Sequence, residues 1–471
     1  MESNNNQITR FGQWLNESLT VKLVAIFFLT LALLIPSSLI SDLVRERQYR
    51  QSEVTAEVSA SWSGPQFIAG PVLMLPYMKE MRILRQGTEL TETQIHYLYL
   101  LPELVQIQMD TDTRLLSRGI FDVAVYESNA TVSGHFGRAN LEREELLPEQ
   151  ILWDKARLVL GVGDLRGVKE VSDIKVGKSE YSLDEFAREK VFEHNLVVSP
   201  TLSKAGWESL PFDFALDMRG TSQMQFLQLA KQTDVKLTGN WTSPKFVGQS
   251  LPDQRLVSDD DFEAFWSLRN FARSLPQQWT GGESTILGHD MQFDPHLAGK
   301  SAPTVSMADG GSSVHYVDAF GVEFLQPVNH YHKSERAVKY AILIIILTFL
   351  ALFFTEIIAK KRIHLVQYVL IGAAMMVFYA LLLAFSEHVG FDWAYGIAAL
   401  ATILLIGVFI RNTLKKGKLA WIFAALLGFF YLFIFVIIQL HDMALLVGSV
   451  GLFLSVAALM YFSSRINWQE K

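Results

Sequence analysis

Cysteine is absent from all 471 residues. That removes disulfides, thiolate metal sites, cysteine nucleophiles, iron–sulfur clusters and a lipidated N-terminal cysteine. Such a composition suits an oxidising compartment, where stray thiols would mispair, but does not by itself assign one. Charge is scarce as well: 19% of residues are charged and 50% hydrophobic, as expected of a chain that mixes globular and membrane-embedded parts. There is no Walker A loop, no Gly-x-Ser-x-Gly and no His-Glu-x-x-His, so the common signatures of nucleotide-driven, serine-hydrolase and zinc-protease chemistry are all missing.

What the chain does have is long apolar runs. They read as Leu23–Ile40, Tyr340–Ile358, Val366–Phe385, Ala394–Ile410, Leu419–Leu440 and Met443–Phe462. Each approaches the length that a helix needs to cross ~30 Å of hydrocarbon. The connectors between the last five are lopsided. Lys360, Lys361 and Arg362 follow the second run, Arg411, Lys415, Lys416 and Lys418 the fourth, and Arg465 and Lys471 the sixth. The alternate connectors hold only Glu387, His388 and Asp392, or His441 and Asp442. Basic residues resist translocation, so both termini are expected in the cytoplasm and residues 41–339 outside. Arg45, Arg47 and Arg50 dissent, because they outnumber Arg10 and Lys22 on the wrong side of the first run. Large domains translocate largely regardless of such charges, and the majority pattern is preferred. The first run is too long for a signal peptide and has no Ala-x-Ala site, which predicts an uncleaved anchor.

The middles of the six runs contain no Asp, Glu, Lys, Arg or His, against ion coupling. Glu356 stands four residues before Lys360, the spacing of a pair along one helix face. Gly448, Gly451, Ala420, Ala424 and Gly428 read as sites of close helix approach. The polar cluster of most interest is Glu387 with His388, a carboxylate beside an imidazole at the end of the third run, placed to bind a partner or handle protons. A helix end merely wetted by polar residues is the plainer account of it.

Residues 41–339 hold 30 of the 41 Lys and Arg and 41 of the 48 Asp and Glu. That net charge of −11 argues against nucleic acid and against tight adsorption to anionic headgroups. Ser41 to Ala60, charged and without glycine, predict an extension of the first helix. Alternation then predicts strands at 94–100, 119–126, 212–218, 223–229 and 235–241, with a further strand over 259–268. Arg219-Gly220-Thr221 reads as a turn and Ser182 to Glu185 as a capped short helix. The sum is a sandwich-like, mainly-β domain, in one lobe or in two that meet near Ser199–Gly206. Its metal-compatible spacings, Asn329-His330-Tyr331-His332 and His289-Asp290 to Asp294 and His296, lack a third dependable ligand. Ser172-Asp173-Ile174-Lys175 has the Ser-x-x-Lys spacing of acylating enzymes without their companion motifs. No catalytic, metal or cofactor site is therefore assigned.

Several phrases are similar to one known family. Ser63-Gly64-Pro65-Gln66 leads to Gly70-Pro71 and Leu75-Pro76; Val162-Gly163-Asp164-Leu165-Arg166-Gly167 forms a turn signature; Leu237 to Trp241 and Pro244 precede Phe262, Ala264 and Trp266. Arg336 to Leu343, Arg362-Ile363-His364 to Gln367-Tyr368, Ser386-Glu387-His388 to Gly390-Phe391, and Asn467-Trp468 follow in order. Together they resemble the CreD family of bacterial inner-membrane proteins, also called cell envelope integrity proteins. The resemblance implies a multi-pass inner-membrane protein linked to a two-component regulatory system, whose loss disturbs the envelope. It carries no catalytic residues over. The expected layout is a cytoplasmic segment 1–22, a first span 23–40, a periplasmic mainly-β domain 41–339, a five-span bundle 340–462 and a cytoplasmic tail 463–471. Two functions fit: non-enzymatic envelope maintenance through an unidentified envelope protein or lipid, or transport or lipid handling between membrane and periplasm. For the second, 67–75 and 98–104 are apolar enough to line a groove.

Overall fold

The computed structural model describes residues 19–85, 88–184, 189, 191–204, 207–269, 275–281, 284–288, 313–324, 330–415, 417–440, 446–451, 453, 457 and 460. The chain divides into two compact units, one joining residues 1–52 with 328–471 and one made of 53–327.

The first unit is helical. Its elements are α1 (Leu19–Ser61), which continues past Ser52 into the other unit, α2 (His330–Lys339), α3 (Ala341–Ala359), α4 (Leu365–Val389), α5 (Phe391–Leu414) and α6 (Gly417–Gln439). All but the short α2 are long and apolar enough to cross a membrane. The sixth expected span lies partly outside the described residues, although 446–451 are helical. Pro36 stands inside α1 without ending it, and α1 extends through Ser61 as the charged, glycine-free stretch predicts.

Helices α3 to α6 bury Phe349, Phe378, Tyr379, Tyr395 and Tyr431 among themselves, while Val369, Leu400, Leu404 and Phe429 stay exposed. Outward-facing apolar side chains are what a lipid-facing surface requires. Trp393 and Trp421, near the starts of α5 and α6, are also exposed, as interfacial tryptophans are. Small residues permit close approach where expected in part. A Cβ on Gly407 would meet Ala424 at 3.3 Å, and one on Gly451 would overlap the Phe433 ring, whereas Gly448 faces open space.

The second unit is a β-sandwich. One sheet runs in the order Pro244–Gly248, Ala319–Phe324, Gln223–Leu227, Gln66–Arg85, Thr88–Leu100 and Gln278–Gly281, with Arg157–Val162 also pairing to Gln66–Arg85 and His194–Val198 pairing to Arg157–Val162. The other runs Gln254–Val257, Phe262–Arg269, Gln232–Gly239, Leu104–Arg118, Phe121–Gly137, Ser209–Thr221, Ile174–Val176 and Ser179–Tyr181, and Val168–Val171 joins it at Ser209–Thr221. Strand Leu104–Arg118 shows why the sheets face each other: Val105, Ile107, Met109, Thr111 and Thr113 are buried while the residues between them are exposed. Tyr126, Phe136, Phe214, Phe226, Trp266 and Phe320 fill the interior, each under 2% exposed. Strands from both sides of Ser199–Gly206 share this core.

The expected strands are all present, including the one over Phe262–Arg269. Two local expectations fail. Arg219-Gly220-Thr221 continues a strand, and the break falls at Ser222, whose φ is 62°. Gly220 is there for closeness, since its Cβ would collide with the Tyr126 hydroxyl. Residues 182–184 are not helical; the Ser182 hydroxyl donates to Asp173 at 2.8 Å instead of capping a helix, and 185–188 lie outside the described residues.

Candidate functional site

The helical unit carries one polar cluster at each end. At the first, the last turn of α4 holds Glu387, whose side chain is only 10% exposed. Arg47 of α1 lies 3.4 Å from its carboxylate, and the Tyr331 hydroxyl of α2 donates to it at 3.3 Å. Burial, with the Glu387 charge adding to it, pushes the Tyr331 phenol up to about 12. His388, one residue on, is exposed. The two residues singled out together thus part company: Glu387 is built into a network and His388 is at the surface.

Helix α2 explains that network. It crosses the ends of three longer helices and bonds backbone groups at the ends of two of them, α5 and α6. His330 Nδ1 accepts the Phe391 N–H at 3.1 Å, at the start of α5, where Gly390 offers no side chain. Burial, then the Lys333 charge, lowers the His330 pKa, which keeps this nitrogen free to accept. Lys333 reaches Asp392 at 3.3 Å and Gln439 at 3.0 Å. Arg336 donates to the Leu440 and Ile437 carbonyls at 2.7 and 3.3 Å, where a cation complements the end of α6. Because 330–339 is a helix, His330 and His332 cannot share a face as they would on a strand. Asn329 and the stretch 289–296 lie outside the described residues, and among the described residues no three His, Asp or Glu gather as a metal site.

At the other end, Glu356 of α3 pairs with Lys22 of α1, their side chains 10% and 4% exposed. Tyr368 of α4 donates to the same carboxylate at 3.0 Å. The expected Glu356–Lys360 pair does not form. Lys360 is the left-handed cap of α3 (φ 50°), so the helical spacing that would align the two ends at that residue. Lys22, Arg47 and Tyr331 were not foreseen as partners. Lys22 at one edge of the first apolar run, and the Arg45, Arg47 and Arg50 group beyond the other, were the hints.

In the β unit, two of the family-like phrases meet. The Gln66 amide donates to Ser63 Oγ at 2.9 Å and to the Asp164 and Arg219 carbonyls at 2.9 and 3.1 Å, and it accepts the Asp164 N–H at 3.0 Å. Asp164 in turn accepts the Gly64 N–H at 3.0 Å and the Arg166 guanidinium at 2.8 Å, and Arg166 donates to the Ala60 carbonyl near the end of α1. Burial alone would raise the Asp164 pKa, but these hydrogen bonds and the Arg166 charge outweigh it and hold the carboxyl well below its ordinary 3.8. Gly163 and Gly167 let the strands close. A Cβ on the first would lie 2.6 Å from the Pro65 carbonyl, and one on the second would overlap the Gln66 amide. This node joins backbone to backbone, and it is a structural clasp.

The motifs that build the node lie inside a match that spans the chain. Residues 18–469 match the family model described as inner membrane protein CreD. The inner membrane protein CreD of Escherichia coli (strain K12) is 29% identical over 450 residues, covering 95% of this chain and 93% of that relative. With its membrane-length helices and mainly-β unit, the chain belongs to the CreD family of inner membrane proteins.

Proposed function

We propose that this protein is a non-enzymatic component that maintains the cell envelope, with its β unit in the periplasm binding another envelope component through its surface. The observation that carries this reading is the filled sandwich. Leu73, Leu75, Leu98, Leu100 and Leu101 are at most 2% exposed, so the segments apolar enough to line a lipid groove lie in the packed interior. Aromatic rings close the space between the sheets, with Trp266 and Phe320 centroids 5.6 Å apart and Phe226 and Phe320 5.8 Å apart. A lipid-handling role would call for a cavity there. The clusters at Glu387 and Glu356 are occupied by internal partners, which supports an anchoring role for the helices.

The charge pattern of the connectors supports both termini in the cytoplasm and residues 41–339 in the periplasm. A reporter fused after residue 200 is expected to be active only if exported; activity confined to the cytoplasm would overturn the topology. Photocrosslinkers at exposed positions of the β unit, such as Leu115 and Leu256, are expected to trap a discrete envelope component in cells. Crosslinks only to bilayer lipid acyl chains would instead favour lipid handling.

A further inference from the structure

The two ends of the helical unit treat charge differently. At the end that holds Glu387, cations come with carboxylates. Arg45 lies 3.8 Å from Asp42, Arg47 3.4 Å from Glu387, Lys333 3.3 Å from Asp392 and Lys339 2.9 Å from Glu335. The opposite end holds the α3–α4 connector, the last turn of α5 and the α5–α6 connector. Residues 360–362 and 411–418 supply seven Lys and Arg there, whereas 357–386 and 393–441 contain no Asp or Glu. Among the described residues the one carboxylate at that end is Glu356, and Lys22 takes it. Lys360, Arg362, Arg411, Lys415 and Lys418 are all exposed.

Other groups do not remove this surplus of seven positive charges. Residues 1–18 and 463–471 together carry three Lys or Arg and three Asp or Glu, so the chain ends add no net charge. The negative ends of α3 and α5 are offset by the positive ends of α4 and α6 beside them. Membrane insertion is the competing explanation, since basic residues hold a connector in the cytoplasm. That rule counts Lys and Arg and gives Asp and Glu little weight. It accounts for the cations but would tolerate carboxylates among them, as the opposite end does. Helix capping does not call for lysine either. Lys360 and Lys415 both sit in left-handed caps, with φ of 50° and 53°, a conformation that glycine or asparagine adopts at lower cost.

We propose that this end of the helical unit binds the headgroups of anionic phospholipids. Lysine ammonium and arginine guanidinium groups both pair with phosphate oxygens. Each cation held near an anionic membrane surface strengthens association by roughly fivefold. An apolar surface for the acyl chains adjoins the cations. Ile358 and Val366, on either side of the first connector, are 60% and 67% exposed, and Trp421, just after the second, is 66% exposed. A tryptophan at that level belongs at the headgroup boundary. On the topology proposed above, the lipid is that of the cytoplasmic leaflet. The site lies in the helical unit, so it stands or falls apart from any partner of the β unit.

The test uses the full-length protein in a neutral maltoside detergent, titrated with phosphatidylglycerol, cardiolipin, phosphatidylcholine and glycerol phosphate, with retained lipid read by native mass spectrometry. Saturable binding of phosphatidylglycerol and cardiolipin, weakened by added salt, is expected, with phosphatidylcholine and glycerol phosphate far weaker. The variant Lys360→Asn, Lys361→Gln, Lys415→Asn and Lys418→Gln should weaken it by about tenfold or more. Asparagine is used at the two caps because it tolerates the left-handed conformation. Lys339→Gln, which removes a cation paired with Glu335 at the opposite end, should leave binding unchanged. If the fourfold variant does not insert, Asn412→Glu with Gly417→Glu keeps every Lys and Arg and should weaken binding in the same direction. Asn412 is exposed, and a Cβ on Gly417 meets nothing within 4 Å. Three results would each refute the assignment: no binding of either anionic lipid, phosphatidylcholine or glycerol phosphate binding as tightly, or variants that insert and bind like wild type.

Discussion

Lys22→Ala should unfold the helical unit at a markedly lower temperature. The Lys22 and Glu356 side chains are 4% and 10% exposed, and Tyr368 closes over the same carboxylate. Removing the lysine leaves a buried carboxylate with one hydroxyl donor, and breaking such a pair typically costs about 3–5 kcal/mol. For a unit of this size each kcal/mol moves the midpoint by roughly 2–4 °C, so a fall of roughly 6–20 °C is expected. The double variant Lys22→Met with Glu356→Leu should recover most of it, because replacing both charges by packed apolar groups is often neutral. Lys360→Ala should do little, since Lys360 is a cap and not the partner of Glu356. The assay is thermal unfolding of purified protein in one detergent, with in-gel fluorescence of a fused reporter. If Lys360→Ala destabilises while Lys22→Ala does not, Glu356 pairs along its own helix and the reasoning is wrong.

Three further outcomes follow from the same contacts. Glu387→Gln should lower stability by about 1 kcal/mol, because the Arg47 pair is partly exposed, whereas His388→Asn at the exposed position should stay within ~0.5 kcal/mol; equal thermal midpoints for the two would refute the difference. Gly167→Ala should cost about 1–3 kcal/mol by overpacking against the Gln66 amide and the Arg219 carbonyl, and an unchanged denaturant midpoint would contradict that contact. Asp164→Asn should destabilise at neutral pH, because a carboxyl whose folded pKa is depressed adds stability above its unfolded value near 3.8 and loses it as pH falls below that. The gap between wild type and variant should therefore hold steady from pH 8 to 5 and narrow only under pH ~4, and narrowing at pH 6 would point to another group.

The parts that were legible in the sequence are those governed by near neighbours. Alternation along Leu104–Arg118 or Phe262–Arg269 reflects a pleat in which every second side chain meets the other sheet. Hydropathy over α3 to α6 reflects contact with lipid, and needs no knowledge of partners. Errors arose where one residue type serves two purposes. Gly220 has the look of a turn, but its missing side chain makes room for Tyr126. Ser182 has the look of a cap, but its hydroxyl serves Asp173.

Long-range ion pairs were illegible for a different reason. From sequence, Glu356 has one nearby cation in helical register, and nothing local competes with Lys360. The true partner is 334 positions away, and only the packing of α1 brings it close. The same logic bears on Arg47, one of the three arginines that dissent from the orientation expected of the first span. Lys22 and Arg47 bracket about 37 Å of α1, somewhat more than an ~30 Å hydrocarbon core. Each end of that interval meets a carboxylate that also accepts a tyrosine hydroxyl: Glu356 with Tyr368, and Glu387 with Tyr331. Arg47 is then a fastening as well as a topological signal, and a charge count that treats it as free solvent-facing charge gives it the wrong weight. The rule that reads orientation from basic residues concerns insertion of single helices. In α1 the local charge pattern answers also to assembly, where a cation at each end sets the depth of the helix against its neighbours.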